Sequence, residues 1–72
     1  MRVIIRSKDG CIFCDKLKQA LTELNVRYEE EVIYSGVAPV MVVDGIEVFV
    51  GLPKYQELIK YCDEKGLNNV SK

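Results

Sequence analysis

The sequence predicts an α/β domain in which four strands form a mixed sheet and two helices pack against it. Short β-branched runs alternate with two segments of helical periodicity. One Asp-Gly pair separates two adjacent β-branched runs, which is a strong hairpin signal. The elements therefore follow one another as βαβ and then ββα. At 72 residues, the chain is predicted to hold a single domain over residues 2–65, followed by a polar tail over residues 66–72.

The first half of the chain is predicted to form a strand–helix–strand unit. Residues 2–6 have the composition of a buried strand, and residues 14–25 that of a helix ending at Asn25. The apolar stripe of this helix consists of Leu17, Ala20, Leu21 and Leu24. Residues 26–33 are strand-like at both ends but contain three consecutive acids, which is typical of a solvated sheet edge rather than a metal site. A helical crossover makes the two strands parallel.

The second half is predicted to form a hairpin and a final helix. Residues 40–43 and 46–50 are apolar runs on either side of the Asp-Gly pair, so they should be antiparallel. Pro53 suits the first position of the helix, and Gly66 suits its end. The buried face of this helix is predicted to consist of Tyr55, Leu58, Ile59 and Cys62. The thiol of Cys62 is thereby expected to be buried and inert.

Two cysteines, Cys11 and Cys14, lie between the first strand and the first helix. Cys11 precedes the helix and Cys14 lies in its first turn, so the turn brings the two sulfurs close enough for a disulfide. The unpaired backbone N–H groups and the dipole of a helix N-terminus stabilise a thiolate at Cys11. Because the thiolate is the reactive form, the pair suits thiol–disulfide exchange: Cys11 attacks a disulfide, and Cys14 resolves the mixed disulfide.

The same cysteine spacing also occurs in zinc sites. Zinc normally takes four ligands from Cys and His, whereas this sequence has no His and only one further cysteine, Cys62. Redox chemistry is therefore the favoured interpretation, and no metal ligands are assigned. A zinc site formed by all three cysteines is the alternative.

Charge and N-terminal sequence exclude several classes of partner. The 10 basic and 11 acidic residues give a formal net charge of −1. This balance predicts no binding to nucleic acid and no attraction to an anionic membrane surface. The apolar run before Arg6 is too short for a signal peptide or a membrane span. A cytoplasmic location is therefore expected, where a close cysteine pair is more often catalytic or metal-binding than structural.

This combination of motifs resembles the thioredoxin-like superfamily, and in size a glutaredoxin. The resemblance rests on the cysteine pair between strand and helix, on Pro39 before the third strand, on the Asp-Gly hairpin and on Gly51 after the fourth strand. It covers residues 2–64 and implies a minimal thioredoxin or glutaredoxin-like fold. The chain departs from glutaredoxins in having Ile12-Phe13 between the cysteines. Only residues 34–36 lie between the second strand and the Val37-Ala38 segment that precedes Pro39. The second helix that glutaredoxins have at this point is therefore expected to be absent.

The resemblance also implies a substrate-binding site around the cysteines. In the family the proline is cis and faces the cysteine pair, and the backbone of the preceding residue pairs with the substrate; here these are Pro39 and Ala38. From the residues alone, a trans proline that starts a strand is the simpler interpretation. Lys8 either contacts a glutathione carboxylate or the Cys11 thiolate, or is an ordinary solvated lysine. Phe13 either is exposed as a partner contact or packs into the core.

These inferences predict a thiol–disulfide oxidoreductase that carries its electrons in the cysteine pair and needs no bound cofactor. The expected partners are protein disulfides or glutathione, with a reductase or glutathione as the electron donor, and the protein is expected to be a monomer. The predicted substrate-binding residues are Lys8, Ile12, Phe13, Ala38, Pro39 and Gly51. One alternative is an iron–sulfur cluster carrier in which Cys11 ligates iron with glutathione as co-ligand. Another is a non-catalytic module that binds a partner through Phe13 and Pro39.

Overall fold

The computed structural model describes residues 1–68, and two helices and four strands lie within that range. Strand β1 spans Val3–Ser7, helix α1 spans Ile12–Glu23 and strand β2 spans Glu29–Val32. The hairpin strands β3 and β4 span Val40–Val43 and Ile46–Val50, and helix α2 spans Tyr55–Lys65. The predicted order of elements is confirmed, with no helix between β2 and β3. Neither of the helices in this range is long and apolar enough to cross a membrane.

The four strands form one mixed sheet in the order β2-β1-β3-β4. β1 pairs in parallel with β2, so that Ser7 lies opposite Val32. On its other side β1 is antiparallel to β3, and Arg6 lies opposite Val40. β3 and β4 are antiparallel, as the hairpin signal predicts. The predicted α/β class with a four-stranded mixed sheet is therefore confirmed.

The turn between β3 and β4 has the backbone that a two-residue hairpin requires. Asp44 and Gly45 have positive φ angles of 52° and 83°, which an Asp-Gly pair adopts readily. The register shifts between Met41 and Val42, so Val48 is an extra residue on β4. A bulge of this kind increases the twist of an edge strand, which hinders its pairing with a strand of another molecule.

Both helices pack on one face of the sheet. Along β1 the side chains alternate, and Val3, Ile5 and Ser7 are the buried positions. A single buried cluster joins apolar side chains of β1 and β3 with those of both helices. The helical members of the cluster are Leu17, Leu21, Leu58 and Cys62. Because both helices contribute to the same cluster, neither helix covers the opposite face of the sheet.

We call this opposite face the open face. It carries Arg6 of β1, Glu31 of β2, Val40 of β3 and Glu47 of β4, which line one groove. Arg6 bonds to Glu31 on one side and to Glu47 on the other, so an ion-pair chain crosses the sheet here. In an antiparallel or mixed sheet, one face can remain in contact with solvent when its side chains are polar or paired.

The ends of α1 and β1 differ from prediction. Predicted over residues 14–25, α1 spans Ile12–Glu23 because Cys11 is its N-cap and Leu24 its C-cap. Asn25 follows in the left-handed conformation, with a φ of 61°, as the sequence indicates. β1 ends one residue later than predicted, at Ser7, because the alternation of buried side chains continues to that residue.

β2 and α2 both begin later than predicted. β2 begins at Glu29 rather than at residue 26, because Val26 packs in the core before the strand starts. α2 begins at Tyr55, so Pro53 lies before the N-cap instead of at the first helical position. The end of α2 agrees with prediction, since Gly66 has a φ of 70° and closes the helix.

The predicted polar tail begins too early. Leu67 is 6% exposed and packs in the core, and its N–H donates to the carbonyl oxygen of Cys62 at 2.9 Å. The left-handed glycine at the end of α2 turns the chain back onto the core, which therefore extends beyond the predicted boundary. Residues 69–72 of the predicted tail lie outside the described residues. On the predicted buried face of α2, Leu58 and Cys62 are buried, whereas Tyr55 is 49% exposed.

The acidic edge strand β2 is held by ion pairs. All four of its residues are exposed, as predicted for a solvated edge. Glu29 pairs with Arg2 at 2.6 Å, and Glu31 pairs with Arg6 at 3.2 Å. The hydrogen bond from Arg2 holds the pKa of Glu29 below its usual value. The negative charge of the edge is thus partly compensated by arginines in and beside the neighbouring strand.

Candidate functional site

Several loops meet at one end of the sheet. β1 and β2 both end there, since Ser7 lies opposite Val32 in a parallel pair. β3 begins there, because it is antiparallel to β1 with Val40 opposite Arg6, and β4 ends there, with Val50 opposite Val40. The loop after β1, the loop before β3 and the loop after β4 are therefore neighbours. These loops carry the predicted cysteine pair, the Ala-Pro dipeptide and the glycine.

The cysteine pair lies at the N-terminus of α1 as a disulfide. The Cα atoms of Cys11 and Cys14 are 5.2 Å apart, and Cys11 is the N-cap of the helix. The backbone N–H of Cys14 donates a hydrogen bond to Sγ of Cys11 at 3.1 Å. Cys14 is fully buried, whereas Cys11 is partly exposed. A molecule in solvent can therefore reach Cys11 and not Cys14, and the N–H donor favours a thiolate at the accessible sulfur.

The Ala-Pro dipeptide directly precedes β3. The peptide bond between Ala38 and Pro39 is cis, as the resemblance implies. Pro39 is buried, and Ala38 is partly exposed. The carbonyl oxygen of Pro39 accepts a hydrogen bond from the N–H of Gly51 at 2.7 Å. Gly51 has a φ of 87°, which favours glycine, and it ties the proline segment to the end of β4. Within the dipeptide, Ala38 is the residue partly exposed to solvent.

Apolar side chains are exposed at the disulfide. Ile12 is 69% exposed and Phe13 is 56% exposed, so Phe13 does not pack into the core. The ammonium of Lys16 lies 5.9 Å from the centroid of the Phe13 ring, within cation–π range. Val37, directly before the Ala-Pro dipeptide, is 60% exposed. The backbone carbonyl of Lys8 accepts a hydrogen bond from the N–H of Cys11 at 3.3 Å, so the backbone of Lys8 is held beside that of Cys11.

The sequence reasoning missed a buried hydroxyl at this end of the sheet. Ser7 is 2% exposed, and its Oγ donates to Oε2 of Glu30 at 2.6 Å. The ammonium of Lys18, one helical turn after Cys14, donates to the same oxygen at 2.7 Å. The bond from Lys18, and then that from Ser7, holds the pKa of Glu30 below its usual value. The period-two alternation of β1 was the signal that pointed Ser7 inward.

Cys62 is separate from the disulfide of Cys11 and Cys14. It is fully buried in the core cluster on α2, and burial raises the pKa of its thiol. The predicted burial of this cysteine is thus confirmed. Within residues 1–68, no three His, Cys, Asp or Glu side chains form a group that could hold a metal ion. The three cysteines of the zinc alternative are therefore not brought together in the described part of the chain.

Comparisons with models of known protein families, with curated proteins and with solved structures find no match. The function is therefore argued from the chemistry of the site. Two bonded cysteines lie at a helix N-terminus, where the residue Cys11 is partly exposed and the residue Cys14 is buried. A site of this kind can accept or release two electrons without a metal or a bound organic group.

Proposed function

We propose that the chain is a small thiol–disulfide oxidoreductase of the thioredoxin-like class, with Cys11 as the nucleophile and Cys14 as the resolving thiol. The observation that carries the proposal is the unequal burial of two bonded cysteine residues at a helix N-terminus. Exchange with a substrate requires one sulfur that solvent can reach and a second that attacks only after the first has reacted.

The reaction starts from the reduced pair. The Cys11 thiolate attacks one sulfur of a substrate disulfide; a mixed disulfide forms as the substrate bond breaks, and the released sulfur takes up a proton. The Cys14 thiol then loses its proton and attacks Sγ of Cys11. This step forms the Cys11–Cys14 disulfide and releases the second substrate thiol. Two electrons pass from the protein to the substrate, and a protein reductase or glutathione returns two electrons by the reverse exchange.

The surroundings of the pair support this chemistry. The N–H of Cys14 donates a hydrogen bond to Sγ of Cys11 in the disulfide. The same donor would stabilise a thiolate at Cys11 after reduction. Ala38 is partly exposed beside a buried proline, so its backbone is available to an extended substrate. Ile12 and Phe13 offer exposed apolar surface next to the accessible sulfur. Lys8 would supply a positive charge for a substrate carboxylate.

The proposal is tested by comparing the wild type with Cys11→Ser and Cys14→Ser in two assays. One measures turnover of a glutathione mixed disulfide in the presence of glutathione and glutathione reductase, and the other measures reduction of insulin disulfides. Cys11→Ser should abolish both activities, and Cys14→Ser should abolish insulin reduction because it cannot close the intramolecular disulfide. Cys62→Ala, which removes a thiol outside the site, should retain both. Activity in Cys11→Ser would contradict the proposal.

The same assays distinguish the electron donor. If Cys14→Ser retains turnover of the glutathione mixed disulfide, glutathione is the donor, since one cysteine is sufficient for that reaction. If neither the wild type nor Cys14→Ser turns over the glutathione mixed disulfide, and the wild type reduces insulin, a protein reductase is the donor.

A non-catalytic binding module is a second candidate, and the exposure of Ile12, Phe13 and Val37 is the observation that favours it. Exposed apolar side chains grouped together are typical of protein-binding surfaces. A module of this kind would bind its partner equally well after both cysteines of the pair are replaced by serine. An oxidoreductase would lose its covalent complex with the substrate in the same variant.

A further inference from the structure

A groove of about 500 Å³ lies on the open face, at the end of the sheet that carries the redox pair. Its apolar lining comes from Ile33 and Val37 in the loop after β2, from Val40 of β3 and from Val50 of β4. Val37 and Val40 flank the Ala-Pro dipeptide in the chain. The groove is therefore continuous with the segment proposed to contact the substrate.

The charged lining of the groove is an ion-pair chain of three residues, Arg6, Glu31 and Glu47. Arg6 donates from Nε to Oε1 of Glu31 at 3.2 Å and from Nη1 to Oε2 of Glu47 at 2.8 Å. One positive charge is thus set against two negative charges, which leaves the groove with a net negative charge. The side chains of Glu31 and Glu47 are 56% and 52% exposed, so a ligand can reach both carboxylates.

We propose that the groove binds the polypeptide segment next to the cysteine of a protein disulfide, a proposal that rests on the function proposed above. A Lys or Arg of this segment pairs with Glu31 and Glu47. A carboxylate accepts several hydrogen bonds, and Arg6 bonds to one oxygen of each. Each carboxylate therefore has an oxygen available for a second cation.

The lining of the groove fits a basic side chain in two ways. The aliphatic stem of Lys or Arg can pack on the exposed apolar surface of Val37 and Val50 while its charged head remains near solvent. The excess negative charge attracts that head and repels acidic segments. Glutathione carries two carboxylates and one ammonium, so its net charge is of the wrong sign for this groove. A basic protein segment is the occupant that both the charge and the apolar surface favour.

The test uses two peptides with a single cysteine held as a mixed disulfide with 2-nitro-5-thiobenzoate, whose release is followed by absorbance. In one peptide the cysteine is flanked by Lys on both sides, and in the other by Glu. The second-order rate constant is measured in a single turnover of the reduced protein, so no reductase is needed. The wild type should react about fivefold faster with the Lys peptide, the size of effect that exposed charge pairs produce.

Variants that change the charge of the groove stepwise should change this preference stepwise. Glu31→Gln and Glu47→Gln each remove one negative charge and should bring the ratio of the two rate constants close to one. The double variant leaves Arg6 in excess and should favour the Glu peptide. Glu64→Gln is the matched control, because it makes the same change in total charge at an exposed position on α2. It should retain the preference of the wild type.

The outcomes separate the groove from the redox function. Equal rate constants for the two peptides with the wild type, or an equal loss of preference in Glu64→Gln, would overturn the proposed groove while leaving the oxidoreductase proposal intact. No release of the chromophore from either peptide would overturn both the proposed groove and the proposed oxidoreductase function. The preference of the wild type should also decrease as salt approaches about 1 M, where the screening length falls to about 3 Å.

Discussion

Glu30 is the residue that joins the acidic edge strand to the end of the sheet where the cysteine pair lies. Its Oε2 accepts hydrogen bonds from Ser7 in β1 and from Lys18 in α1, so one carboxylate connects three elements. Ser7 is buried, and a buried hydroxyl without a partner destabilises the fold. The ionised form of Glu30 is the better acceptor for both donors. The network therefore depends on the charge of this one side chain.

Glu30→Gln should make the free energy of unfolding less dependent on pH in the acidic range. In the folded protein the pKa of Glu30 lies below its ordinary value of 4.5, chiefly because of the hydrogen bond from Lys18. The carboxylate therefore stabilises the fold above its unfolded-state pKa, and this contribution is lost as the pH falls through the lower folded-state pKa. The free energy of unfolding, measured by chemical denaturation between about pH 7 and pH 3, should fall more steeply for the wild type than for the variant.

Glu64→Gln is a suitable control for this experiment, because Glu64 is exposed on α2 and far along the chain from the network. Its stability profile should follow that of the wild type. Parallel profiles for the wild type and Glu30→Gln would show that the Ser7–Glu30–Lys18 network does not depend on charge. The difference should be small, because the carboxylate of Glu30 is 39% exposed and solvent screens its ion pair.

At the scale of elements, α1 determines which of the two cysteines is partly exposed to solvent. Cys14, Leu17 and Leu21 share one face of the helix and are fully buried, whereas Ile12 and Phe13 lie on exposed positions of the same helix. The helical repeat therefore turns one cysteine toward the sheet. The other cysteine, as the N-cap, stays outside the buried stripe. The burial difference that supports the proposed function is thus a consequence of helix geometry.

The β3–β4 hairpin pairs with β1 through β3, and its turn at Asp44-Gly45 offers a test of the fold. Gly45→Ala should destabilise the protein by about 1–2 kcal/mol, the cost of placing an L-residue in the left-handed region. The φ of Gly45 is 83°, and no atom beyond its two chain neighbours lies within 4 Å of the added Cβ, so the cost is conformational rather than steric. Denaturant unfolding measures it.

Gly45→Asn is the matched variant, because Asn enters the left-handed region more readily than Ala. It should be more stable than Gly45→Ala. If Ala were tolerated as well as glycine, the positive φ assigned to this turn would be wrong. Redox activity should survive in both variants, since the turn lies at the end of the sheet opposite to the cysteine pair.

At the scale of the whole molecule, the cysteine pair and the cis-proline segment lie at one end of a two-layer structure. The helices cover one face of the sheet, and the open face carries the ion-pair chain of Arg6, Glu31 and Glu47. The central strands therefore have close packing on one side and paired charges on the other. Neither of the two helices covers the groove on the open face, so its surface is exposed to solvent.

Amide hydrogen exchange should show a corresponding gradient of stability across the sheet. Exchange should be slowest in β1 and β3, which are the central strands, and fastest in β2 among the strands. All four residues of β3 are buried and all four of β2 are exposed. Local opening costs least free energy where few buried contacts are lost. Equal protection of β1 and β2 in the oxidised protein would contradict this order.

The sequence by itself determined the type and order of the elements and the position of the reactive pair. Alternation and helical periodicity depend on residues a few positions apart, so β1, α1, the hairpin and α2 could all be recognised from local pattern. The Asp-Gly turn and the placement of Cys11 at the start of a helix are local in the same sense. Element ends were less predictable, because Val26 and Leu67 are buried by contacts with distant parts of the chain.

Only the tertiary structure decided which side chains meet across those elements. The bond from Gly51 to Pro39, the network around Glu30 and the ion pairs of Arg6 all join residues far apart in sequence. Such contacts depend on strand order and register, and a shift of one residue would turn every side chain of a strand to the other face. For this reason the cysteine pair could be recognised from the sequence, whereas the groove on the open face could not.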